Sequence, residues 1–211
     1  MKKFIILVLI IAAAYWGYTF FGPNLVGTDG FDAQGNPKVL LFTMDGCGPS
    51  ADVAGDLRSR NVTFEEVSLS TDEGRRRIGK FGATQVPLTV IGKRTVLGND
   101  LLALESTLAE VLCPGVLTPA VQQVMSNHFD AQGKPKIVLY GTMTCPYCNR
   151  MKAYLGGRKI AYQFVDVSGM GRDSTDFAVL RGVGYPLIFV GYRRIDGYDE
   201  AKVDQAVKDL L

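Results

Sequence analysis

The sequence predicts a tandem of two α/β domains behind an N-terminal transmembrane helix, and three observations carry that reading. The chain contains its own repeat: "FDAQGNPKVLLFTMDGCGPS" at 31–50 lines up with "FDAQGKPKIVLYGTMTCPYC" at 129–148, Cys47 falling on Cys145. Within each copy, apolar β-type runs alternate with helical stretches in the order β-α-β-α-β-β-α, an α/β layer pattern. The chain also opens on "MKKFIILVLIIAAAYWGYTFF", apolar from Phe4 to Phe21 except at Gly17 and Thr19. At about 1.5 Å per residue that run spans roughly 27 Å, close to the hydrocarbon thickness of a bilayer.

Residues 1–21 are therefore read as a signal anchor. Lys2 and Lys3 precede the span, and Tyr15, Trp16, Tyr18, Phe20 and Phe21 cluster at its far end like an interfacial aromatic belt. By the positive-inside rule the N-terminus faces the cytoplasm and the remainder lies outside. Ala12-Ala13-Ala14 offers the competing reading, a cleaved signal peptide and a secreted body. Gly22 to Gly30 reads as a linker, followed by a first domain at 31–113, a connector at 114–128 and a second domain at 129–211.

Each copy then runs through the same elements. A Gly- and Pro-containing turn leads to an apolar run (Val39 to Phe42; Ile137 to Tyr140), a cysteine and a helical stretch. The β-branched segments "VTFEEVSLS" and "IAYQFVDVS" follow, each with a polar helix after it. "QVPLTVIG" at 85–92 then faces "GYPLIFVG" at 184–191, each opening two short strands divided at Gly92-Lys93 or Gly191-Tyr192. The last element is amphipathic, with Val203, Ala206, Val207 and Leu210 at helical spacing. In the connector, Thr118 suits an N-cap and Pro119 the first helical position. A spacing of about a hundred residues is domain-sized rather than solenoid-sized.

Composition excludes several classes. The 211 residues are 47% hydrophobic and 21% charged, so the chain is not disordered throughout. Net charge is +2 with no basic stripe, which argues against a nucleic-acid partner.

The chemistry concentrates in "TMTCPYCNRM" at 142–151. A cysteine between a strand and a helix lies where unpaired N–H groups and the helix dipole favour the thiolate, the form that attacks. Pro146 suits the first helical position, and Arg150 and Lys152 add positive charge nearby. Cys145, the outer sulfur, is assigned as nucleophile and Cys148, a turn deeper, as resolving thiol. A zinc half-site would need two more ligands, and Cys47, Cys113 and His128 supply no second close pair. A structural staple would close too small a loop to stabilise the fold by much.

"LYGTMTCPYCNRMKAYL" resembles the active-site segment of the glutaredoxins, whose signature Cys-Pro-Tyr-Cys joins the first strand and first helix of a thioredoxin-like fold. The resemblance covers 129–211 and implies a mixed β-sheet flanked by helices, with a degenerate copy of the same domain at 31–113. It implies that Pro186 follows a cis bond from Tyr185 and receives the substrate's sulfur-bearing segment, and that Tyr147 lies beside the active thiol. The family's Gly-Gly-x-Asp segment, which holds the γ-glutamyl end of glutathione, resembles Gly197-Tyr198-Asp199. The chain differs from the family at Thr142, Gly184-Tyr185 and Asp196, and "RGVGYP" is closer to exported oxidoreductases of the protein disulfide isomerase and Dsb type.

The first repeat keeps Cys47 but has Ser50 in place of a resolving cysteine. "CGPS" partly resembles the Cys-Gly-Phe-Ser of monothiol glutaredoxins, which hold an iron–sulfur cluster with glutathione. A domain that positions substrate is the preferred reading there, with monothiol activity at Cys47 second. Cys113 reads as a half-buried small apolar residue, or as a disulfide partner of Cys47; His128 reads as a surface or packing residue, and "GRRRIGK" at 74–80 as a solvated helix face.

The expected activity is dithiol exchange through Cys145 and Cys148 on exported protein or glutathione mixed disulfides, with glutathione as reductant and no metal. The alternatives are a non-catalytic module binding a peptide, glutathione or an iron–sulfur cluster, and a membrane-anchored redox sensor. The expected location is the bacterial inner membrane, single-pass, with the domains in the periplasm or outside the cell.

Overall fold

The computed structural model describes residues 29–211. The apolar run at 4–21, read above as an anchor, lies outside the described residues. Among the described residues no helix is long and apolar enough to cross a membrane. The described residues divide into two compact units, one formed by those up to Gly55 together with Thr63–Asn99, the other by Asp56–Val62 and Asp100–Leu211.

The first unit contains β1 (Val39–Thr43), most of α1 (Gly48–Ser59), β2 (Glu65–Ser68), α2 (Asp72–Gly79), β3 (Leu88–Ile91) and β4 (Arg94–Leu97). Its sheet has the order β2-β1-β3-β4, with β1 parallel to β2 and antiparallel to β3. All five residues of β1 are buried, as a continuous apolar run in a central strand covered on both faces requires. Leu40 and Phe42 alternate onto one face, where they pack with Leu88, Val90, Val67 and Ile78. The "GRRRIGK" segment is only partly a solvated face: Ile78 is buried, and Arg77 pairs with Glu65 and Asp29. Thr71 caps α2 by accepting the Gly74 N–H.

The second unit contains α3 (Leu101–Val111), α4 (Pro119–Met125), β5 (Ile137–Gly141), α5 (Pro146–Gly157), β6 (Gln163–Asp166), α6 (Arg172–Val179), β7 (Leu187–Val190), β8 (Arg193–Asp196) and α7 (Glu200–Leu210). Its sheet, β6-β5-β7-β8, repeats the first unit's order and strand directions. On one face Ile137, Leu139, Ile188 and Val190 pack against Met151 and Leu155 of α5 and Val203 and Ala206 of α7. On the other, Val138, Tyr140, Leu187 and Phe189 meet Val121, Val124 and Met125 of α4, whose N-cap is Thr118 with Pro119 in the first turn.

α3 runs along the edge strand β8. The Ser106 hydroxyl accepts from Arg194 N–H at 3.0 Å and donates to the Tyr192 carbonyl, occupying the open side of the ladder. Arg193 pairs with Glu110 and Asp209, while Glu105 receives Arg60 and Arg181.

The repeat extends to individual hydrogen bonds. Asp32 Oδ1 accepts from Gln34 and Asn36 at 2.9 and 2.8 Å, and Asp130 Oδ1 from Gln132 and Lys134 at the same distances. Lys38 N–H donates to Gly30 O, and Lys136 N–H to His128 O, both at 2.8 Å. His128 is fully buried and not a surface residue. Its Nδ1 lies 3.3 Å from Gly191 O and its Nε2 2.8 Å from the Tyr140 hydroxyl. A carbonyl only accepts, so Nδ1 carries the proton and Tyr140 donates to Nε2. Burial lowers the His128 pKa to about 4, against the smaller raising effect of the Gly191 hydrogen bond, and raises that of Tyr140.

Candidate functional site

The apolar strand β5 ends at Gly141, and the turn that follows delivers Cys145 as N-cap of α5 with Pro146 at its first position. Proline fits there because its missing N–H would have no helical partner. Cys145 and Cys148 are joined in a disulfide, with 5.2 Å between their Cα atoms. Cys145 is 9% exposed and Cys148 is fully buried, so Cys145 is the outer residue of the pair. The Cys148 N–H points at Cys145 Sγ, 3.1 Å away. An N–H aimed at a sulfur on a helix N-terminus favours the thiolate over the thiol.

Two further loops meet this one. The β5–β7 register pairs Tyr140 with Leu187, which sets Pro186 beyond the last pair, on the side of Gly141. The Tyr185–Pro186 bond is cis, and Pro186 O accepts the Gly197 N–H at 2.8 Å. That hydrogen bond ties the cis-proline loop to the Gly197-Tyr198-Asp199 segment. Asp199 is the N-cap of α7, accepting the Lys202 N–H at 2.9 Å, and that bond holds its carboxyl below the usual range. Tyr147 is 53% exposed, and its ring centroid lies 6.3 Å from that of Tyr198. The Arg150 guanidinium stands over the Tyr198 ring at 4.7 Å and nears Tyr147 at 5.9 Å, a cation–π arrangement that orders the rim of the site. Lys152 lies over Phe164. Tyr198 donates to Glu200, which raises its pKa. Tyr185 packs on Phe177 at 5.3 Å.

Cys47 lies in the first unit, at the equivalent strand-to-helix turn. There the Ser50 N–H goes to Cys47 O at 3.1 Å, where its counterpart, the Cys148 N–H, goes to sulfur; the Ala51 N–H goes to Cys47 O at 3.2 Å just as the Asn149 N–H goes to Cys145 O at 3.1 Å. Val86–Pro87 is cis, as Tyr185–Pro186 is, and Gly98 N–H donates to Pro87 O at 2.8 Å. Cys47 and Cys113 are both free thiols, so the Cys47–Cys113 pairing is not formed. Cys113 is exposed rather than half-buried, because it precedes the short Pro114–Val116 turn instead of ending inside α3. Among the described residues no group of three or more His, Cys, Asp or Glu side chains is placed to hold a metal.

Gly141 is the site residue that sequence reasoning passes over. A Cβ there would come within 3.0 Å of Cys148 Sγ. The visible signal is a glycine ending a strand otherwise rich in large apolar residues, where propensity disfavours it.

Comparison with known proteins bears on both copies. A sequence-family model described as Glutaredoxin matches residues 39–96 and 137–195. An uncharacterized glutaredoxin-like 8.6 kDa protein in the rubredoxin operon of Clostridium pasteurianum is 29% identical over 73 residues, 34% of this chain and 97% of that protein. Glutaredoxin 1 of Rickettsia prowazekii is 27% identical over 67 residues, 30% of this chain and 70% of that protein. The holo form of glutaredoxin C1 from Populus tremula x tremuloides aligns with a TM-score of 0.36 and 20% identity over 44% of this chain and all of that one. With the family model covering more than half of the residues in two separate blocks, and the same mixed sheet in both, the chain belongs to the glutaredoxin family and carries the family's domain twice.

Proposed function

We propose that this protein is a thiol–disulfide oxidoreductase that works by dithiol exchange in its second repeat. The observation that carries the reading is the Cys145–Cys148 disulfide at the start of α5, with the outer sulfur receiving the Cys148 N–H. In the reducing direction, the Cys145 thiolate attacks a substrate disulfide and one substrate thiol leaves. Cys148 then attacks Cys145 Sγ, the second substrate thiol leaves, and the disulfide seen in the structure is the oxidised product. Two electrons pass to the substrate, and a thiol reductant such as glutathione restores the pair. Tyr147, Tyr185, Pro186, Gly197, Tyr198 and Asp199 form the rim that receives the substrate, Asp199 and the α7 N-terminus facing an amino-acid terminus of glutathione type.

Substrates are glutathione mixed disulfides and disulfides of exported polypeptides. Cys47 has no second thiol three residues on, which supports a role for the first repeat in positioning substrate rather than turning it over. The apolar run at 4–21 supports an anchored placement with both repeats outside the cytoplasm; protease added to intact spheroplasts should then digest them.

The decisive experiment is reduction of a glutathione mixed disulfide in excess glutathione by the full chain, beside Cys145→Ser. Turnover that vanishes in the variant is the expected result. Equal rates in both proteins, with thiols confirmed free, would refute the assignment.

A further inference from the structure

Gly141 closes β5 directly behind the disulfide. It is paired with Asp166 in regular strand and is not among the glycines with positive φ, so backbone conformation does not call for glycine here. What the missing side chain leaves is room. A Cβ on residue 141 would fall within 3.0 Å of Cys148 Sγ, at 3.4 Å from Cys148 Cβ and 3.6 Å from the Phe164 ring. Real carbon and sulfur atoms do not approach so closely in a packed interior, so either the sulfur or the strand would have to move.

The first repeat provides an internal contrast. Thr43 ends β1 where Gly141 ends β5, and Ser50 stands where Cys148 does; they are 6% and 3% exposed. The strand residue there carries a branched side chain, and the helix residue carries the smaller oxygen. Ser50 Oγ has no hydrogen-bond partner among the described residues. A sulfur removed from that position and a Cβ added opposite it are changes that fit one another sterically.

We infer that Gly141 is a positioning residue for the Cys145–Cys148 couple, holding open the space into which the Cys148 sulfur fits when the pair is oxidised. The inference rests on the dithiol reading above and adds what sets its equilibrium. With glutathione the balanced reaction is protein dithiol plus glutathione disulfide giving protein disulfide plus two glutathione thiols, two electrons leaving the protein and both thiol protons ending on glutathione. A side chain at 141 crowds the oxidised form, whereas a free Cys148 thiol can turn to another rotamer. The equilibrium then moves toward the dithiol.

The test uses the full chain equilibrated in glutathione redox buffers, acid-quenched, alkylated and weighed. Cys47 and Cys113 are free and react in both states, so the oxidised protein takes up two labels and the reduced protein four. Gly141→Ala is expected to lower the oxidation equilibrium constant at least about tenfold, which is roughly 30 mV toward a more oxidising couple. A folded Gly141→Ala protein with the wild-type constant would overturn the inference. Should that variant not fold, the first repeat decides. Ser50→Cys combined with Thr43→Gly should form its internal disulfide at least about tenfold more readily than Ser50→Cys alone. Equal constants for those two would likewise overturn it. A wild-type pair that exchanges with no glutathione or dithiol buffer would sink the dithiol reading itself, an outcome separate from any effect at residue 141.

Discussion

The turn at 44–50 and the turn at 142–148 occupy the same place in the same sheet topology, yet only the second holds a pair of cysteines. Both follow a fully buried central strand, and both precede a 12-residue helix. In the second, the Cys148 N–H points at the outer sulfur and the inner sulfur lies against a strand residue with no side chain. In the first, the one equivalent N–H, that of Ser50, goes to the Cys47 carbonyl, and the inner atom is a hydroxyl oxygen opposite a threonine. A fold can therefore be duplicated down to its loop hydrogen bonds while a few atoms at a helix start leave one copy without a second thiol. The difference lies in the site, not in the scaffold.

The comparison is most sharply broken by swapping which thiol is lost. Cys145→Ser should reduce turnover of a glutathione mixed disulfide by at least ~10³-fold, as loss of an activated nucleophile does, while Cys47→Ser leaves it unchanged. A large loss on Cys47→Ser would make the first repeat a catalytic partner instead. Next in size are the cores. Leu41→Ala and Leu139→Ala remove fully buried side chains at equivalent positions, and each should cost about 2–5 kcal/mol in urea unfolding. Only the second should also lower turnover if the repeats divide the labour as proposed.

His128 has Gly30 as its counterpart in the first repeat, so its acid sensitivity belongs to the second alone. Its pKa falls to about 4 on folding, from an ordinary value of 6.5. The unfolded chain then binds the extra proton more readily, so the stability contributed by the neutral ring is complete above about pH 6.5 and is lost as pH falls toward 4. His128→Gln should flatten the fall of the urea midpoint between pH 6.5 and 4 relative to the parent; parallel profiles would show that the ring does not stay neutral. The smallest effect is expected at the helix caps. Asp100 accepts the Leu102 and Ala103 N–H groups, and Asp199 that of Lys202. Replacing either by alanine should cost about 1 kcal/mol of stability. Asp199→Ala should in addition raise KM for a glutathione mixed disulfide, an effect Asp100→Ala should lack.

Much of this was legible in the order of residues. The repeat, the strand and helix order, the two-residue turns at Gly92-Lys93 and Gly191-Tyr192, the Thr118 cap and the depth of Cys148 below Cys145 all rest on local patterns with short range. The cis bond at Tyr185–Pro186 was expected from resemblance, and the structure has it at Val86–Pro87 as well. The exposure of Cys113 is not legible, because an apolar neighbourhood in sequence says little about exposure at a helix end. That His128 packs in the core rather than at the surface is not legible, because its partners, Tyr140 and Gly191, are 12 and 63 residues away.

The sequence by itself determined that there are two copies of one mixed α/β fold and that only one of them holds a Cys-x-x-Cys pair, since periodicity and motif spacing are properties of neighbouring residues. Tertiary structure alone decided that α3, which follows the first sheet in the chain, seals β8 of the second, and that the inner sulfur needs a bare strand residue behind it. Both depend on which surfaces meet once the chain is packed. Dense packing leaves no spare volume, so a single Cβ or a single hydroxyl settles the outcome at such contacts.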